Sequence, residues 1–140
     1  FGLIVAARTM DRRVVHGVCL VLGAIGLLAI GFIHGEEQKF LLLGALALGG
    51  VAWASILSMP YAILAGALPA QRMGVYMGIF NFFIVLPEIL AALFFGRLVK
   101  NYLHGNLVHA VMAGGVCLLI AAVALTFVKP APPVDSPAVA

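Results

Sequence analysis

Four apolar runs dominate the chain, and each is long enough to cross a bilayer: Val14 to about Ile33, Phe40 to about Leu68, Gly74 to about Gly96, and Leu107 to Val128. A hydrocarbon core about 30 Å thick needs roughly 20 apolar residues at helical rise. Lipid offers no partner to an exposed backbone N–H or C=O, so such runs fold as helices whose backbone bonds are internal. The composition leaves no room for a water-facing surface. Of 140 residues, 64% are hydrophobic and only 9% charged, against about a quarter charged in soluble domains. The fold class read here is an all-α integral membrane bundle of four complete transmembrane helices, with the end of a fifth in Phe1–Ala7.

The polar segments punctuate the runs. Arg8–Arg13 is a charged loop, His34–Lys39 a polar one, Pro69–Met73 a short one, and Arg97–Asn106 a loop carrying Arg97, Lys100 and His104. Lys129 opens a Pro-rich tail that cannot continue a helix, so residues 130–140 are expected to be disordered and residues 1–129 to form the membrane bundle. The formal charge is +3, yet the basic residues lie between the runs, where they set topology; a nucleic-acid surface is not indicated. Arg8, Arg12, Arg13, Arg72 and Lys129 fall on one side of the membrane and Lys39, Arg97 and Lys100 on the other. Basic residues favour the cytoplasmic side, which places the C-terminal tail and the first loop in the cytoplasm.

Chemistry of the reactive kind finds no support. Cys19 and Cys117 each lie within an apolar run and read as inert thiols. His16, His34, His104 and His109 lie near span ends without ligand-like spacing, so no metal site is expected. No nucleophile elbow, zinc-protease helix or phosphate loop occurs, and neither an enzyme nor a cofactor is expected.

Polar residues inside the runs carry the functional signal. On the third run Gly74, Gly78, Asn81, Val85, Glu88 and Ala92 share one helical stripe. Glu88 stands near the membrane centre, where an acid facing lipid costs about 2.5–3.5 kcal/mol, and no basic residue lies at its depth. It reads either as a proton- or substrate-binding carboxylate, or as an acid held neutral or paired with a basic residue in the part of the protein that precedes Phe1. On the second run Gly50, Ala54, Ser58, Tyr61 and Ala65 form a matching stripe beside Trp53. An aromatic ring can stack on the apolar face of a sugar while hydroxyl and amide groups hold its edges; alternatively Trp53 fills space and each serine bonds a backbone carbonyl. Pro60 and Pro87 are expected helix kinks, freeing the carbonyls of Ile56 and Phe83. Gly74 with Gly78, and Ala110 with Gly114, have the spacing of close helix contacts.

Trp53-Ala-Ser-Ile-Leu-Ser-Met-Pro-Tyr-Ala62, followed by Met73-Gly-Val-Tyr-Met-Gly-Ile-Phe-Asn-Phe-Phe-Ile-Val-Leu-Pro87, resembles the bacterial relatives of the sucrose/maltose proton symporters of the major facilitator superfamily. The Arg8–Arg13 loop resembles a degraded form of that superfamily's cytoplasmic Asp-Arg motif, with Asp11 and Arg12 as the matching pair. The resemblance implies that the four spans are helices 9 to 12 of a twelve-helix sugar carrier of the inner membrane, with Phe1–Ala7 the end of helix 8. Its partners would be a disaccharide, a proton, the lipid bilayer and the carrier's N-terminal helices. Trp53, Ser58, Tyr61, Asn81 and Glu88 are the candidate substrate contacts, and Asp11 with Arg12 a conformational latch. Similar proteins tend to carry Gln where this chain has Glu88. Two rivals stand beside this reading: a small four-span multidrug-type exporter using Glu88 to bind cations, and a non-transporting membrane anchor.

Overall fold

The computed structural model describes residues 11–128, and they are helical throughout, with no strand. Helix α1 runs Arg12–Ala29 and tightens into a 3₁₀ turn at Ile30–Phe32. Helix α2 runs Lys39–Ala65, α3 Met73–Tyr102 and α4 Leu107–Leu125. Four helices are thus long and apolar enough to cross a membrane. The Phe1–Ala7 span end, Arg8, Lys129 and the Pro-rich tail at 130–140 lie outside the described residues.

Short polar signals set the ends. Asp11 caps α1, its carboxylate accepting from the Arg13 backbone N–H at 2.9 Å, and Asn106 caps α4 by accepting from the N–H groups of Val108 (2.9 Å) and His109 (3.4 Å). Each satisfies donors that the first helical turn leaves free. The third span departs from its expected bounds: the helix continues past Gly96 through Arg97 and Lys100 to Tyr102, a stretch assigned above to a loop. Arg and Lys are good helix formers whose long stems let the charge reach the interface. The chain turns only where His104 and Gly105 take positive φ (52° and 73°), with the Gly105 N–H returning to the Val99 carbonyl at 3.0 Å. Both prolines lie inside unbroken helices, Pro60 in α2 and Pro87 in α3.

Helix α1 is the centre of the bundle, packed on one side against α2 and on the other against α4. Small residues allow the approach. A Cβ on Gly26 would stand 2.5 Å from the Ala45 carbonyl oxygen of α2, and Gly23 lies directly against Ala52. Across the other face, a Cβ on Gly115 of α4 would stand 3.2 Å from the Ala24 carbonyl oxygen. Without a hydrophobic drive between helices in lipid, this close van der Waals packing holds spans together. The predicted Gly74–Gly78 pair makes no such contact, since a Cβ on either would meet nothing within 4 Å among the described residues. Gly114, of the other predicted pair, does face α1, with Leu27 at 3.7 Å. Helix α3 stands apart, none of its spanning window being buried.

Candidate functional site

One end of the bundle gathers the start of α1 with the ends of α2 and α4. Arg12 donates to the Ala62 carbonyl near the C-terminus of α2 at 2.8 Å, and Arg13 donates to the Val128 carbonyl beyond α4 at 2.6 Å. Helix C-termini present unpaired carbonyls and partial negative charge, which cations stabilise. Two adjacent arginines therefore tether two different helices to the start of α1. Asp11 holds Arg13 in place through a 2.6 Å ion pair. Of the two residues expected as a conformational latch, Asp11 pairs with Arg13 and Arg12 engages the backbone of α2.

The Arg13 side chain, by hydrogen bonding to Asp11, holds that carboxyl below its ordinary 3.8. A carboxyl with a lowered folded-state pKa contributes stability that is fully present above the ordinary value and is lost as pH falls through the lowered one. Asp11→Asn should therefore lower the thermal midpoint at neutral pH, and that difference from wild type should vanish once the pH falls below the lowered value. A difference that persists unchanged in acid would show that the Asp11 charge is immaterial.

Inward from the tethers lies a cleft of about 910 Å³, reached by all four helices. Arg12 and Asp11 stand at it, Pro60 and Ile56 line it from α2, Phe80 from α3 and Leu118 from α4. Pro60 has no N–H to offer the Ile56 carbonyl, and both residues line the cleft. His16, one turn along α1 from Arg12, also lines the cleft. The histidine is 7% exposed, and its Nδ1 lies 2.8 Å from the Oγ of the fully buried Ser55 on α2.

The predicted contacts do not converge as one site. Tyr61 and Asn81 meet: the Tyr61 hydroxyl donates to Asn81 Oδ1 at 2.6 Å, and its ring packs edge-on against Phe80 at 5.1 Å. Trp53 is 64% exposed, and Glu88 is exposed and hydrogen-bonds none of the described residues. Ser58 donates to the Ala54 carbonyl of its own helix at 2.8 Å, the backbone alternative considered for the serines. Pro87 sits on α3 away from the cleft lining, whereas Pro60 is part of it.

Tyr61–Asn81 joins α3 to the remaining helices. Interhelical hydrogen bonds in membranes average about 0.6 kcal/mol, and the largest reach about 1.7. Tyr61→Phe and Asn81→Leu should each lower stability in bilayers by an amount in that range, and the double variant should cost no more than either alone. Additive losses in that cycle would mean the two side chains act independently.

His16 and Ser55 escaped the sequence reading because the histidine was placed by its distance from a span end. The signal was present in the spacing: Arg12, His16, Cys19, Gly23 and Gly26 recur at three- and four-residue steps and form one stripe of α1. That stripe faces Ala62, Ser55, Ala52 and Ala45 of α2 in register. Among the described residues no three His, Cys, Asp or Glu side chains gather as metal ligands would. Comparison of the chain with models of protein families, with characterised proteins and with solved structures gives no match in any of the three.

Proposed function

We propose that the chain is part of a secondary active sugar carrier that works by alternating access, takes up a disaccharide such as sucrose or maltose, and is coupled to protons. The observation that carries this reading is the cleft among the four helices. Its volume of about 910 Å³ lies within the range of about 300–1,000 Å³ of small-molecule sites. Its wall is mostly apolar, with a few polar groups on it: Asp11, Arg12, Arg13 and His16. Phe80 supplies a ring on which the apolar face of a sugar can stack, and Tyr61 with Asn81 stands directly behind that ring.

Alternating access requires elements held by contacts that can be exchanged. The two arginine tethers are of that kind, since each ends on a helix-terminal carbonyl rather than in a packed core. Helix α3, attached through Tyr61, is the element freest to move against α1, α2 and α4. The resemblance described above supports the same reading: the carrier's other helices cover α3, the membrane is the inner membrane, and the C-terminus is cytoplasmic.

The test is uptake of a labelled disaccharide into proteoliposomes that hold the full-length carrier, under an imposed proton gradient. Accumulation that follows an inward gradient and collapses with a protonophore is the expected result. No sugar uptake under any gradient would remove the carrier reading. Gradient-driven expulsion of an organic cation would favour the small exporter, whose second copy would then cover α3.

A further inference from the structure

We propose that His16 and Ser55 form a proton-binding site that opens on the cleft between α1 and α2; within the carrier reading, on which this role rests, it is where the coupled proton loads. Ionisable side chains inside membrane spans are costly and tend to mark proton or ion pathways. His16 is in α1, is 7% exposed, and shares a 2.8 Å hydrogen bond with a serine that has no exposure. The Ser55 bond meets the need of a buried imidazole for a polar partner at one ring nitrogen and leaves the other for a proton.

The hydrogen-bond arithmetic supports binding and release. Nδ1 is occupied by Ser55 Oγ, and Nε2 has no partner among the described residues. No described side-chain nitrogen or oxygen is both fully enclosed and unpartnered. Nε2 is therefore reachable, and His16 lines the cleft, so the proton has a route. In the imidazolium both ring nitrogens donate, whichever carried the proton before. Ser55 Oγ must then accept from Nδ1 and turn its own proton elsewhere, and the Val51 carbonyl one turn back in α2 is the acceptor that a helical serine ordinarily uses. Nε2–H would point to an oxygen in the cleft, from water or from bound sugar. Protonation thus fixes Nδ1 as the donor and Ser55 Oγ as the acceptor in the bond that joins α1 to α2, in the layer between the Arg12 tether and the tight Gly23–Ala52 contact.

The charged surroundings are few. On α1, Asp11 favours the imidazolium and Arg12 and Arg13 oppose it, although Asp11 is already paired with Arg13; Cys19, buried one turn further, is the remaining titratable neighbour. Along the cleft α2 presents Ile56 and Pro60, α3 presents Phe80, and α4 presents Leu118, with no titratable group among them. No carboxylate locks the imidazole in its charged form, as a reversible site requires.

The test uses the full chain in lipid nanodiscs with ¹⁵N-labelled histidine, the His16 signals being identified by their absence in His16→Gln. The imidazole of His16 is expected to titrate reversibly between about pH 5 and 8. Ser55→Ala should move its midpoint by about half to one pH unit, from the loss of one hydrogen bond. A His16 that keeps one protonation state across that range in the wild-type chain overturns the inference without recourse to any variant. So does a midpoint unmoved in a folded Ser55→Ala chain. Sugar uptake is scored separately: uptake with a silent His16 removes this site and leaves the carrier, whereas a titrating His16 in a chain that moves no sugar leaves the site and removes the carrier.

Discussion

Leucine in place of Gly26 is expected to force α1 off α2 and to unfold the bundle at the lowest denaturant of any substitution considered for this chain. The first atom added already fails to fit. A Cβ would lie 2.5 Å from the Ala45 carbonyl oxygen and 2.9 Å from Leu48 Cβ. The oxygen belongs to the backbone of α2, so it cannot withdraw unless that helix moves. Overpacking a close contact costs about 1–3 kcal/mol, occasionally more, and the separation spreads beyond position 26. The same stripe of α1 carries Gly23 against Ala52, His16 against Ser55 and Arg12 against Ala62. A wedge at one point of a straight pair of helices lengthens all of them. Gly50→Leu is the control, being a glycine of α2 with nothing within 4 Å. Trp53, the chain's single tryptophan, reports unfolding of both variants in bilayers by its fluorescence. Equal stability of Gly26→Leu and Gly50→Leu would show that the α1–α2 approach is not what holds the bundle.

This contact also marks where sequence reasoning succeeds and where it stops. Hydropathy and length place the four spans within a few residues because lipid imposes one solution on an apolar run, an internally bonded helix. The exception at Arg97–Tyr102 has a physical origin. Charge is a good marker of where the membrane ends but a poor marker of where a helix ends, and α3 outlasts the hydrocarbon core. Faces are harder. In water the apolar stripe of a helix points to the core, but in a membrane both sides of a helix are apolar, and small residues decide contact instead. Sixteen glycines offer more small-residue pairs than the bundle uses. Gly74 and Gly78 have the right spacing and stay bare, whereas Gly23 and Gly26 carry the packing. The polar stripes through Ser58 and Tyr61 on α2 and through Asn81 on α3 name both members of the Tyr61–Asn81 bond but as separate substrate contacts, not as partners. They miss Ser55, whose partner could be recognised only once the stripe of α1 was set beside it.

In the full-length carrier of the proposed function, Glu88→Gln is expected to lower sugar uptake by roughly tenfold, the effect of losing about 1.4 kcal/mol from a charge-assisted interaction, or to shift its pH optimum. Glu88 stands at the middle of α3, between Met73 and Tyr102. Phe83, Ile84, Leu90 and Leu93 around it are largely exposed, and no described residue bonds to its carboxylate. A carboxylate presented to lipid at this depth costs about 2.5–3.5 kcal/mol, about two powers of ten in an insertion equilibrium. Nothing among the described residues compensates that cost, and the proposed carrier would cover the face of α3 that carries Glu88 with further helices. Glu88→Leu separates the possibilities. Were the face turned to lipid, leucine would ease insertion of α3 and leave uptake alone. With the face covered by further helices or by a second copy, leucine strips a polar partner from a buried contact and uptake is lost, while glutamine, which keeps the shape and one acceptor, retains part of it. The expected order of activity is therefore wild type, then Glu88→Gln, then Glu88→Leu. Wild-type uptake by Glu88→Gln at every pH would remove Glu88 from the mechanism, and full uptake by Glu88→Leu would turn α3 around to face the bilayer.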